Sequence, residues 1–293
     1  VTDRPIEYPI TAVQTFAESA AKKQFLFTVA VPDYGTDVNR LALVSVHGML
    51  NSGNIGEFNM TAKLGGADLT PAVVNGGATT NRYHKGGLFY LPVPPMGDKV
   101  IEINTTRAIS SLVVVFCLVG GVSPAAPVRA YSAVGPDASL TLDAELTGGL
   151  TFVSGQARRG NSQISPTNDL QEVLAHVSPN TEDNGYELTA ALSAVVAAEA
   201  GAATVGMTGT NGGITVLLAA EFARSEDDDG PGPTPSPAEL IVTIRDIQPG
   251  GRLDMRHVKP LDIVLKEDGT IDWDKTPYSG ITVSNAGPGP LPG

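Results

Sequence analysis

Side chains able to act as nucleophiles, acids or metal ligands are few in this sequence and stand far apart. The four histidines lie at 47, 84, 176 and 257. None stands at ligand spacing from another and no His-Glu-x-x-His occurs, so no histidine-built zinc centre is indicated. His47 falls on the strand face opposite Ala42, Val44 and Val46, where a structural or exposed role outweighs ligation. Cys117 is the only cysteine, which excludes an intramolecular disulfide and a cysteine-based zinc site. It sits inside Leu112-Val-Val-Val-Phe-Cys-Leu-Val119, where a thiol is expected to be buried and to act as a small apolar group rather than a nucleophile. Neither a Gly-x-Ser-x-Gly elbow nor a Gly-x-x-x-x-Gly-Lys-Ser/Thr phosphate loop occurs. No Gly-x-Gly-x-x-Gly leads from a strand into a helix.

Carboxylates are paired at Glu182-Asp183 and at Asp272-x-Asp274. A glycosidase needs two of them across a cleft, but solvated surface groups are the expectation here. Asp272-Trp273-Asp274 suggests a sugar-stacking platform. Trp273 is the only tryptophan, however, and follows a hairpin in a segment short of core, so an anchoring role fits it better. Tyr34, Tyr83 and Tyr90 are the remaining candidates for a carbohydrate face, in a chain with only 5% aromatic residues. Asn59 and Asn104 open Asn-x-Thr triplets, which would matter only in a eukaryotic secretory pathway. The residues therefore point to a non-enzymatic protein without cofactor or metal.

The elements that carry these residues read as strands. Net charge is −12 and the 19 lysines and arginines are scattered, which argues against nucleic acid and anionic membranes as partners. The longest apolar run covers about 8–10 residues where a spanning helix needs roughly 20, so no membrane insertion is expected. The start, Val1-Thr-Asp-Arg-Pro5, is polar and resembles no signal peptide; removal of an initiator methionine and cleavage of a leader both fit. Glycine (33) and proline (22) exceed their usual share, which disfavours long helices. Period-two alternation is clearest in Glu57-Phe-Asn-Met-Thr-Ala-Lys-Leu64, where Phe58, Met60, Ala62 and Leu64 share one face. Further strands are predicted over 24–31, 40–47, 88–91, 100–103, 112–118, 139–144, 150–153, 170–177, 186–196, 203–208 and 214–223. Gly-Gly pairs at 65–66, 76–77, 86–87, 120–121, 148–149, 212–213 and 250–251 punctuate them. Asn211-Gly212 and Asp268-Gly269 read as hairpin turns. Thr15 to Lys23 has helix-forming residues, and the alanine-rich stretch from Leu188 to Ala203 reads as mostly strand.

This pattern predicts an all-β protein, an antiparallel β sandwich of jelly-roll type over residues 1–224. Residues 225–238 hold four consecutive acids and four prolines and form a linker. The acids lack the alternating spacing of a calcium loop. A small β unit follows over 239–285, then a loose tail over 286–293. Strands of the small unit present Leu240, Val242 and Ile244, then Leu261, Ile263 and Leu265, more apolar surface than ~50 residues can cover. Together with Trp273 they are expected to form the assembly contact.

The stretch from about Gln24 to Ala223 resembles β-sandwich modules of tailed-phage virion proteins and bacterial surface proteins. The resemblance rests on Phe27-Thr-Val-Ala-Val-Pro32, Asn39-Arg-Leu-Ala-Leu-Val-Ser-Val46, Leu64-Gly-Gly-Ala-Asp-Leu-Thr70, Gly87-Leu-Phe-Tyr-Leu-Pro-Val-Pro-Pro-Met-Gly97 and Val216-Leu-Leu-Ala-Ala-Glu-Phe222. Such modules are similar to concanavalin-like or jelly-roll sandwiches and are mostly non-enzymatic. The resemblance implies a structural virion protein: a head decoration, head fibre or tail accessory protein. Its expected partners are other virion subunits or further copies of the chain. A secreted or cell-surface adhesin that binds a glycan is the alternative, and a glycoside-active enzyme a minor one. Limited proteolysis of the native protein should cut first between Ser225 and Ala238. Protection of that stretch with cleavage elsewhere would contradict the division into two units.

Overall fold

A computed structural model describes residues 10–225, apart from 36–38, 51–52, 80, 124, 160, 179–187 and 196–199. The linker beyond Ser225, the 239–285 unit and the tail lie outside the described residues, as do Leu240, Val242, Ile244, Leu261, Ile263, Leu265 and Trp273. Among the described residues there is no helix.

The first half of the chain forms nine strands: β1 (Ile10–Glu18), β2 (Lys22–Val31), β3 (Arg40–Met49), β4 (Met60–Leu64), β5 (Ala67–Asp68), β6 (Thr70–Ala78), β7 (Tyr83–Pro92), β8 (Gly97–Ile109) and β9 (Ser111–Gly120). They make two sheets, ordered β1-β9-β3-β7-β6 and β2-β8-β4-β5. Eight strands follow: β10 (Arg129–Asp137), β11 (Ser139–Leu146), β12 (Leu150–Ala157), β13 (Ile164–Pro166), β14 (Gln171–Val177), β15 (Thr189–Val195), β16 (Gly201–Gly209) and β17 (Ile214–Phe222). Their sheets are β10-β17-β12-β15-β14 and β11-β16-β13. All pairings between named strands are antiparallel.

The body is thus two sandwiches rather than one, and the second repeats the first. In each, the first strand pairs the last, the last pairs the third, the third pairs the penultimate strand of the same sheet, and that strand pairs its chain predecessor. The second strand lies in the opposite sheet. This is jelly-roll connectivity. Even an irregularity recurs. One extra residue bulges out of β6 between Pro71 and Val73, beside Leu88, and one out of β14 between Val173 and Ala175, beside Leu192.

Three apolar layers hold four sheets together. β9 shows how: Leu112, Val114, Phe116 and Leu118 face the β2-β8-β4-β5 sheet, while Val113, Val115, Cys117 and Val119 face the second sandwich. β17 does the same in mirror role. Val216, Leu218, Ala220 and Phe222 face the first sandwich, and Leu217 and Ala219 face β11-β16-β13. Strands covered on both sides carry no polar alternation, which is why 112–119 reads as an unbroken apolar run. The outer strands alternate instead; β11 buries Leu140, Leu142, Ala144 and Leu146 and exposes the residues between them.

Two expectations are corrected. Thr15 to Lys23 is not helical: β1 runs to Glu18 and β2 starts at Lys22. Pairing of Thr15, Phe16 and Ala17 with Val115, Val114 and Val113 outweighs their local preference. Asn211-Gly212 is not a hairpin turn either, because β16 and β17 lie in different sheets. Gly212 and Gly213 both adopt positive φ there, and they carry the chain across the sandwich. The Asp268-Gly269 hairpin lies outside the described residues. A true tight hairpin occurs at Gly65-Gly66, between β4 and β5, again with positive φ at both positions.

Cys117 lies fully buried between the sandwiches, paired in register with Val13 and Leu43. Burial pushes its thiol up to about 12, so the reactive thiolate is scarce at neutral pH. Native thiol titration should show almost no labelling until denaturant is added; rapid labelling in buffer would contradict this packing.

Candidate functional site

The inner face of β3 reads Leu41, Leu43, Ser45, His47, and the inner face of β12 reads Leu150, Phe152, Ser154, Gln156. The two strands meet across the seam between the sandwiches, and their apolar halves join the central core. Their polar halves touch each other. Ser45 Oγ and Ser154 Oγ lie 2.7 Å apart, His47 Nε2 lies 2.7 Å from Ser154 Oγ, and His47 Nδ1 lies 3.2 Å from Gln156 Oε1. The Gln156 side-chain Nε2 then reaches Nδ1 of His84, on β7, at 2.8 Å. All five residues are essentially inaccessible to solvent.

Such a row survives inside a dry interface because its members satisfy one another from Ser45 to His84 Nδ1; His84 Nε2 alone has no hydrogen-bond partner among the described residues. The donors can be assigned in order. Ser45 donates to Ser154, Ser154 donates to His47 Nε2, and His47 Nδ1–H donates to Gln156 Oε1. Gln156 donates to His84 Nδ1. Both rings are then neutral, each with one protonated nitrogen. Space for the His47 ring comes from Gly86 on β7, where a β-carbon would stand 2.7 Å from His47 Nδ1.

Electrostatics agree with neutrality. Burial lowers His47 to about 4, against a smaller opposing effect of the Gln156 bond. Burial, then the charges of Arg82 and Arg158, lower His84 to about 3.

Other sequence candidates do not converge on this row. Tyr83 is buried edge-on to Phe58 with centroids 5.8 Å apart, and Tyr90 edge-on to Phe222 at 5.4 Å. Neither presents a ring to a sugar. Tyr34 is half-buried, with its hydroxyl on the carbonyl of Pro94. His176 accepts from the backbone N–H of Ile164 at 3.2 Å, at the edge of the second sandwich. His257, Glu182-Asp183 and Asp272-x-Asp274 lie outside the described residues. Among the described residues, no three His, Cys, Asp or Glu side chains gather to hold a metal ion. The surface carries a shallow open depression of about 370 Å³ lined by Pro166, Thr167, Asn168, Asp169, Gln171 and Val173.

Ser45, Ser154, Gln156 and His84 were not singled out as a group by sequence reasoning. A signal existed. Leu-x-Leu-x-Ser-x-His at 41–47 recurs as Leu-x-Phe-x-Ser-x-Gln at 150–156, so that Ser45 meets Ser154 and His47 meets Gln156 at the same offset of 109 residues. An internal repeat with polar residues on an otherwise apolar face marks both the duplication and the seam.

No family model, curated protein or solved structure matches the chain.

The buried imidazoles make stability depend on acid in a defined direction. An unfolded histidine takes up a proton near 6.5, whereas His47 and His84 resist it until about 4 and about 3. The unfolded chain therefore binds more protons as pH falls below 6.5, and stability drops until the folded values are passed. Each ring should cost on the order of 2–3 kcal/mol by pH 4.5. Urea unfolding between pH 7.5 and 4.5 should show this fall, and His84→Asn should flatten part of it. An unchanged slope in that variant would show that the ring is not buried neutral.

Proposed function

We propose that this chain is a non-enzymatic structural protein of a phage-like virion, displayed as a head decoration, head fibre or tail accessory protein. The observation that carries the reading is the tandem stack. Two sandwiches of one topology share a dry seam, so four sheets act as one block whose interior serves packing. Such a block suits a spacer that holds a position under load or dilution. The likeness of 24–223 to virion β-sandwich modules supports the same reading. In this proposal the 239–285 segment, through Leu240, Val242, Ile244, Leu261, Ile263, Leu265 and Trp273, attaches the block to other virion subunits or to further copies of itself. Extended segments can do so by adding to a neighbour's sheet through main-chain hydrogen bonds.

Particles purified from the source should contain the chain at a fixed copy number, and a labelled antibody should mark one location in projection images. A chain shortened after residue 224 should stay folded and no longer incorporate. Normal incorporation of the short chain would move the attachment surface into the sandwiches. Recovery of the full chain only from a secreted or cell-surface fraction, with saturable glycan binding, would replace this reading with the adhesin.

A further inference from the structure

Lys85 stands on β7, on the face shared by Tyr83 and Phe89, which points into the first sandwich. Only 6% of it is exposed. A lysine this deep needs partners, and it has two. Its Nζ donates to Glu57 Oε1 at 3.0 Å and to Asn59 Oδ1 at 3.0 Å. An ammonium group can only donate, so the Asn59 atom in contact is the carbonyl oxygen. An amine, a carboxamide and a carboxylate thus meet within hydrogen-bond reach.

Regular structure holds them there. At Lys85, β7 is paired on both sides, with Gly48 of β3 and Gly76 of β6. Asn59 leads into β4, in the opposite sheet. Its backbone N–H donates to Thr106 Oγ1 at 2.9 Å, and its C=O accepts from the Thr106 N–H at 3.0 Å. Phe58, between Glu57 and Asn59, packs edge-on against Tyr83 with centroids 5.8 Å apart. Each side of the contact is therefore fixed independently of it.

We propose that Lys85 Nζ and Asn59 Cγ join spontaneously in an amide cross-link between the two sheets of the first sandwich, with Glu57 as the proton carrier. The Lys85 ammonium gives one proton to Glu57, and the neutral amine attacks Asn59 Cγ. That carbon is one bond of about 1.23 Å from the oxygen that Nζ already contacts, and attack needs a separation of roughly 3–3.5 Å. Glu57 passes its proton to Nδ2, and the Cγ–Nδ2 bond breaks as ammonia leaves. The surplus proton on Nζ departs through Glu57, so one ammonium ion is released and nothing is oxidised or reduced. Asn59 is exposed, which gives the leaving group a way out. Amines attack amides poorly in solution, but fixed proximity favours the step, and each chain needs it once. The product closes residues 59–85 into a ring. As a disulfide would, it removes conformations from the unfolded chain, in a protein whose single cysteine allows no disulfide.

The test weighs the full chain by intact-mass spectrometry after denaturation. The parent should be lighter than its sequence by one ammonia. Trypsin should then fail to cut after Lys85, and the peptide that holds Asn59 should be recovered joined to the one that holds Lys85. Lys85→Arg and Asn59→Ala should both show the full sequence mass and melt at lower temperature than the parent. Should Lys85→Arg fail to fold, Asn59→Ala, at an exposed position, serves alone. Glu57→Gln should lose ammonia roughly a hundredfold more slowly. A parent at full sequence mass would overturn the cross-link and leave a plain ion pair. An ammonia loss that persists in Asn59→Ala would place it elsewhere, as in a succinimide at Asn75-Gly76 or Asn211-Gly212, and would overturn the proposal too. A Glu57→Gln chain that matches the parent would remove Glu57 from the step.

Discussion

The contact between the β1-β9-β3-β7-β6 sheet and the β10-β17-β12-β15-β14 sheet buries the second face of each, and the rest of the architecture follows from that burial. A sheet in a single sandwich has one wet face and can alternate. Away from their edge strands these two sheets have none, so β9, β12, β15 and β17 are buried along their entire length. Each large apolar side chain withdrawn from water contributes about 1.5–3 kcal/mol, and the seam collects Leu43, Tyr90, Phe152, Leu192, Leu218 and Phe222 among others. Apolar contact is not directional, however, and two greasy sheets can slide or rotate against each other at small cost. The serine–histidine–glutamine row removes that freedom. Any shift between β3 and β12 would strand buried donors and acceptors, so the row selects one alignment.

Much of this was legible in the sequence, and the misses have a common cause. The alternation at 57–64, of which 60–64 forms β4, and at 139–144 is legible because those strands lie in the outer sheets, with one face in solvent. The central strands were legible as apolar runs. The sequence pattern does not mark strands β1, β5, β6, β10 and β13, and all five sit at sheet edges. An edge strand makes half the ladder bonds and tolerates residues that break a central one. β6 contains Pro71, Gly76 and Gly77, and β10 contains Gly135 and Pro136. Their composition looked like turn.

Glycine pairs misled in the same way. In a jelly roll most consecutive strands belong to opposite sheets, so a glycine turn reports a change of direction and not a pairing. Only β4–β5, β6–β7 and β14–β15 pair with their chain neighbours. The seam site was half legible. His47 could be placed on the face opposite Ala42, Val44 and Val46, but its partners lie 107 and 109 residues away, and nothing local shows that a second sandwich covers that face.

The relation between the halves has a genetic consequence. Contacts across the seam come in exchanged pairs: β1 touches β14, and β10, its counterpart, touches β6, the counterpart of β14. That is the arrangement of an isologous dimer, in which one patch meets a second copy of itself and the assembly closes at two. In a real homodimer every substitution would appear twice. A histidine at position 47 would face another histidine, whose single facing nitrogen could not both accept from His47 and donate to His84 as the amide of Gln156 does. Joining the copies in one chain frees the two patches to differ. His47 stands opposite Gln156, and Gly86 makes room on one side where Ala190 occupies the matching place on the other. It also makes encounter of the halves intramolecular, so their pairing no longer depends on how much protein the cell makes.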